Sequence, residues 1–410
     1  MAQEKIESLS LQEAIKVLEE SVESKPNVEI LPLLEAQNRY LATDQICQKS
    51  MPSFNSAAMD GFAFSHKAQG ELKIKESIFA GDKKEILLKE DECVKIMTGA
   101  KVPEGADSLV PFEEIEGGFS NKDSIFVKEQ GKIWNNIRKE GEEITKGEIL
   151  LKAGEELDEN ALMLLATQGI SHVSVYEKLK IGVFASGDEL KEPWEVSSSH
   201  QIHNSNATMI VSTLKSFGMN ASYGGVLKDD KEKISKVLQS PYDVIITSGG
   251  ASKGEADFMR EILQRSATLL IPSIKIRPGK PIMVAKMQNK FIIALPGNPL
   301  AGAVLLRFLI VPFLKNLSGA RAHFLQSIPI KIYEEFTLKN RMDAMLGIIN
   351  NEGFKLTQKG KYGSSQTLPL HLSNALAIFG EDFLCGEANK VIQVLPFKLI
   401  FGDKKCNFIN

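Results

Sequence analysis

The stretch DVIITSGGASKGEADF, from Asp243 to Phe258, combines an apolar strand, a glycine turn and the acidic start of a helix. Residues 244–246 predict a buried parallel strand, and residues 256–263 predict the first turns of a helix. Glycines let backbone N–H groups approach a phosphate closely, and a helix N-terminus adds positive potential. The stretch therefore predicts a phosphate-binding loop, whose candidate ligand-binding residues are Ser248, Gly249, Gly250 and Ser252.

Two carboxylates, Glu255 and Asp257, lie beside this loop and could hold a cation. The glycine spacing matches neither GxGxxG nor GxxxxGK[ST], so it favours neither the dinucleotide-binding nor the Walker motif. Glycines at strand ends also serve as ordinary turns. A purely structural turn therefore stays open for this segment taken alone.

Composition bounds the class of protein. With 410 residues, 43% hydrophobic, 25% charged and a net charge of −3, the chain fits a globular protein of two to four domains and does not suggest a nucleic-acid partner. Four cysteines without a CxxC pair indicate a reducing compartment. The N-terminus lacks a secretory pattern, and the most apolar stretch, Val304 to Leu314, is shorter than the roughly 20 residues of a membrane span. We expect a soluble cytoplasmic protein without a membrane partner.

The pattern of elements changes along the chain. Ser10 and Glu13 form a capping-box pattern at the first helix, residues 50–140 show short strands and turns, and residues 160–167 are helical again. From Leu179, strands at 181–185, 244–247 and 291–294 alternate with helices at 207–217, 231–238 and 300–314, which predicts a parallel sheet. The predicted division is 1–48 with 141–177 (helical), 49–140 (β), 178–320 (α/β) and 321–410 (β).

Polar residues follow three of the predicted parallel strands. Ser186 to Leu190 follow the first strand, the phosphate-binding loop follows the second, and Leu295 to Pro299 follow the third. Ligands bind beyond the carboxyl ends of parallel strands, where Asn298 could also cap the next helix. The basic turn from Lys275 to Pro281 could bind an oxyanion there, although a surface loop is an equally good interpretation of it. The further candidates for ligand binding are Lys275, Arg277, Lys280, Pro296, Gly297, Asn298 and Pro299.

Six motifs, in this order along the chain, resemble the MoeA family, whose animal relative is the gephyrin E domain. They are PSFNSAAMDGFA from Pro52, KIMTGAKVPEGAD from Lys95, SGDEL from Ser186, SGGASKGEAD from Ser248, KIRPGKP from Lys275 and LPGNP from Leu295. The resemblance spans nearly the whole chain.

The resemblance implies a molybdopterin molybdenumtransferase, which inserts molybdate into adenylylated molybdopterin and releases AMP with Mg²⁺, in the last step of molybdenum cofactor biosynthesis. It implies a multidomain α/β and β fold: a MogA-like three-layer α/β domain with a parallel-rich sheet, a helical dimerisation domain, an inserted β domain and a C-terminal β-barrel domain. It also implies a homodimer with its site between subunits, and a molybdopterin adenylyltransferase as the upstream partner.

The family's site residues map onto several positions. The resemblance assigns catalysis to Asp60, Glu189, Asp229 and Asp257, and the last three would also hold the metal. Carboxylates can hold Mg²⁺ across a pyrophosphate while one of them orients water. Lys275 and Lys280 would bind molybdate or the terminal phosphate. Further substrate-binding candidates are Thr98, Arg138, Arg341 and Ser364.

The chain departs from the family pattern at a few positions. Asn55, Ser56 and Ala57 replace a more polar run, Glu143 replaces an Asp, and Arg277 replaces a frequent Lys. A degenerate or tungstate-selective paralogue therefore stays open. A molybdopterin adenylyltransferase or a nucleotide pyrophosphatase also stays open, because those proteins resemble residues 178–320. A non-catalytic scaffold is the third alternative. His203 could touch a ligand, although a hydrogen-bonded loop histidine is the more common case.

Overall fold

The structure, a computed structural model, describes residues 8–228, 230–249 and 258–397, with Phe258 described by its backbone only. Five predicted site residues, Asp229, Gly250, Ser252, Glu255 and Asp257, lie outside this described part. The chain forms two compact units: the larger takes residues 1–42, 154–158 and 173–410, and the smaller takes 43–153 and 159–172. The predicted four-domain division is finer than this and stays a prediction.

A six-stranded sheet forms the centre of the larger unit. Its first four strands are parallel, so the predicted parallel strands are confirmed. The fifth strand is antiparallel to the fourth, and the sixth is antiparallel to the fifth. Apolar clusters lie on both faces: Ile246 and Ile293 belong to one cluster, while Ile245 and Ile292 belong to the other. In sheet order the strands are Ala221–Leu227, Ile181–Ser186, Val244–Ser248, Lys290–Leu295, Met283–Met287 and Thr268–Ile271.

Helices cover this sheet. The α-helices of the larger unit are Leu11–Glu20, Asn206–Ser216, Lys231–Leu238, Phe258–Ser266, Pro299–Leu305, Val311–Leu317 and Leu368–Leu372. The first helix begins with the predicted capping box, because Ser10 Oγ accepts from the Glu13 N–H at 3.2 Å and Glu13 Oε2 accepts from the Ser10 N–H at 2.7 Å. Short 3₁₀ turns occur at Leu33–Glu35 and Thr357–Gly360.

The most apolar helix is longer than the sequence suggested. A π-helical segment, Leu306–Ile310, joins two α-helices into a continuous run from Pro299 to Leu317. This run has 19 residues and a mean hydropathy of 1.7, so by length and composition it could cross a membrane, and the expectation from length was wrong. However, 78% of its most apolar window is buried inside the protein, as in a core helix. Pro312 lacks the N–H that an unbroken α-helix requires, which accounts for the π segment before it.

A second sheet occupies the C-terminal part of the larger unit. Its outer strands meet, because the Tyr333 N–H donates to the Phe354 carbonyl oxygen at 2.8 Å. In sheet order its strands are Ile328–Lys331, Val391–Pro396, Ala375–Phe379, Asp343–Asn350 and Gly353–Leu356. Two-stranded pairs join Val28–Pro32 with His172–Tyr176, Leu190–Lys191 with Ile202–His203, and Phe336–Thr337 with Cys385–Gly386.

The smaller unit contains the predicted β segment and one α-helix, Glu159–Thr167, which confirms the helix expected at 160–167. Its five-stranded sheet has the order Ser108–Pro111, Gly61–Phe64, Glu92–Ile96, Gly70–Ile78 and Ser124–Val127. Two-stranded pairs join Ser56–Ala57 with Ile137–Arg138 and Gln45–Ile46 with Ile149–Leu151, and 3₁₀ turns lie at Phe112–Glu114 and Gly118–Ser120.

Candidate functional site

Three neighbouring parallel strands of the larger unit end at the same level. Ala185 pairs with Ser248, and Ser248 pairs with Leu295. The loops that follow these strands therefore leave the sheet at one edge, as the sequence predicted. This edge carries Glu189 after the first strand, Gly249 after the second and Pro296 to Pro299 after the third.

Gly249 allows the second loop to turn tightly against the first strand. Its φ is +97°, a conformation that side chains disfavour, and a Cβ built there would lie 2.5 Å from the Ser186 carbonyl oxygen. Its N–H donates to the Leu295 carbonyl oxygen at 3.0 Å. Gly249 therefore connects the ends of all three strands.

A cavity of about 680 Å³ opens beyond these strand ends, and we call it the strand-end cavity. Glu189 is exposed in it, whereas Ser248 is 3% exposed and presents a single hydroxyl. Ser365 and Thr367, which the sequence analysis missed, come to it from the C-terminal part. The predicted site residues that line it are Glu189, Ser248, Gly249, Pro296, Gly297, Asn298 and Pro299.

Two polar residues of this cavity differ in how they are held. Asn298 occupies the N-cap position of the helix that begins at Pro299, but its side chain makes no capping hydrogen bond, so that part of the prediction was wrong. The Asn298 side chain is exposed in the cavity instead. His203 lines the cavity, and its Nε2 lies 3.0 Å from the Glu195 carbonyl oxygen, as expected of a hydrogen-bonded loop histidine.

Asn206, at the start of a helix, connects two of the three loops. Its Nδ2 lies 2.6 Å from Ser248 Oγ and 2.7 Å from the Gly297 carbonyl oxygen. The sequence analysis gave Asn206 no role, and the only signal for it was its position at a helix start close to His203.

A second cavity, of about 550 Å³, adjoins the first, since both are lined by Pro281, Pro296 and Asn298. We call it the basic cavity. The helix start and the C-terminal part meet there, because the Leu300 N–H donates to the Ser364 carbonyl oxygen at 3.1 Å. Its five cationic lining residues are Arg277, Lys280, Lys339, Arg341 and Lys359.

One acidic residue, Asp343, also lines the basic cavity, and it is 4% exposed. Arg341 Nε donates to both of its carboxylate oxygens, at 2.9 and 3.1 Å.

Tyr362 also lines the basic cavity. Burial raises the pKa of Tyr362 to about 12, so this residue keeps its hydroxyl hydrogen at neutral pH. Its oxygen accepts from the Leu346 N–H at 2.8 Å, which leaves that hydrogen for another acceptor. The cavity therefore offers cations and a hydroxyl donor.

The structure separates the two lysines of the basic turn. Lys280 lines the basic cavity, whereas Lys275 lines neither cavity. The pKa of Glu13 is lowered mainly by its hydrogen bonds with Ser10, and the charge of Lys275 adds to this effect. Arg277 reaches the basic cavity because its backbone pairs with the strand that begins at Asp343. Lys339 and Lys359 were not identified from the sequence, since no motif contains them.

In the smaller unit, Asp60 and Thr98 lie side by side. Asp60 Oδ1 accepts hydrogen bonds from the Thr98 N–H and from Thr98 Oγ1, both at 2.7 Å. The backbone hydrogen bond first, and the hydroxyl second, lower the pKa of Asp60. Both residues are exposed, so the carboxylate is held in place and accessible.

Arg138 is already paired. It donates to Glu142 at 2.7 Å and also to Glu143, the residue that departs from the family pattern. Its strand pairs with that of Ser56, and the side chain of the neighbouring Asn55 accepts from the Glu140 N–H at 2.9 Å. Arg138 therefore already donates two of its five N–H groups to these carboxylates.

The described residues contain no group of three or more His, Cys, Asp or Glu side chains that could hold a metal ion. Glu189 is the one predicted Mg²⁺ ligand among them, and its exposed carboxylate supplies the oxygen donor that Mg²⁺ prefers. The side chain present therefore fits the predicted cation, and the roles of Asp229 and Asp257 rest on the resemblance.

The Asp60–Thr98 contact predicts a measurable change. In Thr98→Val the hydroxyl donor is lost while the backbone donor stays, so the pKa of Asp60 should rise part of the way to its ordinary value. Because the fold lowers this pKa, the carboxylate stabilises the native state above the unfolded pKa, and this stabilisation is lost as the pH falls through the folded pKa. A ¹³C NMR titration of labelled aspartate checks this, with Thr43→Val as control. An unchanged pKa of Asp60 would contradict the assignment.

Comparison with known proteins gives the family. Residues 9–169 match the model of the MoeA N-terminal region (domain I and II), and residues 182–316 match that of a probable molybdopterin binding domain. The molybdopterin molybdenumtransferase of Haemophilus influenzae is 31% identical over 408 residues, which cover 96% of this chain and 100% of that protein. The enzyme of the same name from Staphylococcus epidermidis is 30% identical and covers 96% of this chain and 97% of its own length.

Solved structures show the same fold. A molybdopterin biosynthesis MoeA protein from Pyrococcus horikoshii superimposes with a TM-score of 0.80 at 24% identity, over 95% of this chain and 100% of the other. A molybdenum cofactor biosynthesis protein from Pyrococcus furiosus gives a TM-score of 0.58 at 17% identity, with 95% and 100% coverage. Since relatives at 30% identity or more align along nearly their whole length, this chain belongs to the MoeA family of molybdopterin molybdenumtransferases, the transferases of molybdenum cofactor biosynthesis.

Proposed function

We propose that this protein inserts molybdenum from molybdate into adenylylated molybdopterin, with release of AMP, as a Mg²⁺-dependent molybdopterin molybdenumtransferase. The observation that carries the proposal is the adjoining pair of cavities in the larger unit. One of them collects uncharged polar groups and the carboxylate of Glu189 at the strand ends, and the other collects cations. The reaction joins a substrate that has a phosphoanhydride with a second substrate that is an oxyanion. It therefore requires a phosphate-binding cavity and a cationic cavity side by side.

The strand-end cavity suits the phosphoanhydride. Ser248 and the backbone at Gly249 lie where the parallel strands end, the position at which α/β sheets bind phosphorylated ligands. Glu189 supplies the one described carboxylate of this cavity. Hydrolysis would break a P–O bond of the anhydride, with water adding its oxygen to phosphorus, and a carboxylate can take the proton of that water.

The basic cavity suits the dianionic molybdate. Arg277 and Lys280 come from the α/β part, while Lys339, Arg341 and Lys359 come from the C-terminal part. Since Asp343 balances one of these charges, the cavity keeps an excess of positive charge. Charge-assisted hydrogen bonds from such groups hold oxyanions strongly.

The remaining assignments rest on the family resemblance. Mg²⁺, when bound by Glu189 with Asp229 and Asp257, would supply positive charge to the anhydride oxygens. Catalysis by Asp60, Asp229 and Asp257 and substrate binding by Thr98, Arg138, Gly250 and Ser252 are proposed on the same ground. So are the homodimer, the upstream adenylyltransferase, the cytoplasmic location and the division into a three-layer α/β domain, a helical dimerisation domain, an inserted β domain and a C-terminal barrel.

The first test is turnover. Purified protein in Mg²⁺ buffer should release AMP from adenylylated molybdopterin faster with molybdate than without it. Glu189→Gln keeps the shape of the side chain but removes its charge, and should slow release by about a hundredfold or more. The matched control is Asp188→Asn, which changes the residue just before Glu189. Asp188 does not line the cavity, so this variant should release AMP at the wild-type rate.

Different outcomes of this assay would replace the proposal. Substrate binding without AMP release would indicate a scaffold, and stimulation by tungstate alone would indicate a tungstate-selective paralogue. Transfer of AMP from ATP to molybdopterin, without molybdate insertion, would indicate an adenylyltransferase. Equal rates for Glu189→Gln and wild type would contradict the role of Glu189.

The second test compares the two lysines of the basic turn. Lys280→Gln should weaken molybdate binding about tenfold, because it removes a charged donor from the basic cavity. Lys275→Gln should bind like wild type, since Lys275 lines neither cavity. Calorimetry with molybdate at low and high salt measures both, and the difference should shrink at high salt because ions screen it. Equal losses in the two variants would refute the placement of the oxyanion.

A further inference from the structure

We infer that Asn206 is a positioning residue that makes the strand-end cavity selective for a phosphoryl group over an uncharged ligand. The inference rests on the proposed function in one respect, because that function assigns the phosphate of the substrate to this cavity. It goes further by identifying the side chain that sets the polarity of the strand ends. Asn206 belongs to none of the motifs that carry the family resemblance.

Two acceptors of the strand ends share one donor group. Asn206 Nδ2 lies 2.6 Å from Ser248 Oγ and 2.7 Å from the Gly297 carbonyl oxygen. Ser248 ends the second strand, and Gly297 belongs to the loop after the third. One side chain therefore connects two loops that both line the cavity.

The chemistry of these partners fixes the orientation of the amide. A carbonyl oxygen can only accept, so the Asn206 atom that faces Gly297 at 2.7 Å must be the nitrogen. The same NH₂ group then supplies its second hydrogen to Ser248 Oγ. In the flipped orientation two oxygens would face each other across the contact with Gly297, which is repulsive.

This orientation decides what the cavity offers to a ligand. Because Ser248 Oγ accepts from Asn206, its own hydrogen points elsewhere and can be donated to a ligand oxygen. The Gly297 carbonyl, which would repel an anion if it were unpaired, already has a donor. Asn206 thus occupies two acceptors and leaves Ser248 as a donor, the polarity that a phosphoryl group requires.

A chain of hydrogen bonds fixes the segment before Asn206. Tyr223 donates to Glu192 Oε1 at 2.6 Å, and its oxygen accepts from Asn204 Nδ2 at 2.8 Å. Asn204, which is 3% exposed, accepts in turn from the Ala207 N–H at 3.2 Å. Burial raises the pKa of Tyr223, so the tyrosine remains a donor. The start of the helix is therefore held by hydrogen bonds that do not involve Ser248 or Gly297.

The test compares AMP with adenosine as probes, using calorimetry on the full chain without turnover. Asn206→Asp keeps the shape but replaces the donor with a negative acceptor. It should weaken AMP binding by about tenfold or more and change adenosine binding by less than about twofold. A merely structural role would weaken both ligands to the same extent.

Asn206→Ala provides a second variant should the aspartate disturb folding. It removes the donor without adding charge and should weaken AMP several-fold, again without affecting adenosine. Ser216→Ala is the matched control, because Ser216 lies at the other end of the same helix and bonds only locally to the Thr213 carbonyl oxygen at 2.7 Å. The control should bind both ligands like wild type.

Three results would overturn the inference. They are wild-type AMP affinity in the Asn206 variants, equal losses for AMP and adenosine, and a wild-type chain that binds AMP no better than adenosine. None of these depends on molybdate. The proposed function fails separately, if AMP is bound but its release from adenylylated molybdopterin does not respond to the oxyanion.

Discussion

The register of three parallel strands is the constraint on which the rest of the site depends. Ala185, Ser248 and Leu295 pair at one level, and the strand residues before them are buried on both faces of the sheet. A shift of one residue would exchange the side chains that pack into the two apolar clusters and disrupt both, so close packing fixes the register. Because the register is fixed, Glu189, Ser248 and Gly297 emerge at one edge, and the helix from Asn206 can reach two of them.

The second property of the site is the division of its charges. The strand-end cavity presents hydroxyl and amide groups with one carboxylate, Glu189, whereas the basic cavity presents five cations around Asp343. A phosphoanhydride beside a carboxylate can bind a divalent metal ion. An oxyanion beside cationic side chains needs no metal ion to balance its charge. The two cavities adjoin at Pro281, Pro296 and Asn298, so two reacting groups could meet there.

The sequence predicted what depends on local pattern. The strands around Val244 and Ile293, the capping box at Ser10 and the loop at Gly249 follow from periodicity and from residues with special backbone preferences. It missed Asn206, because its partners lie 42 and 91 residues away and only the folded sheet brings them together. The sequence analysis also missed Lys339 and Lys359, because only the folded chain brings them to the basic cavity. The length argument about the apolar helix failed because Pro312 does not end the run from Pro299 to Leu317.

The most direct measurement is the position of the oxyanion in a crystal of this protein grown with tungstate, located by anomalous scattering. Tungstate has the shape and charge of molybdate and scatters strongly. The account predicts one strong peak in the basic cavity, within hydrogen-bond distance of Lys280 and Arg277, at a concentration that also saturates binding in solution. A peak outside this cavity, with the basic cavity empty, would contradict the assignment of the oxyanion and the proposed function built on it.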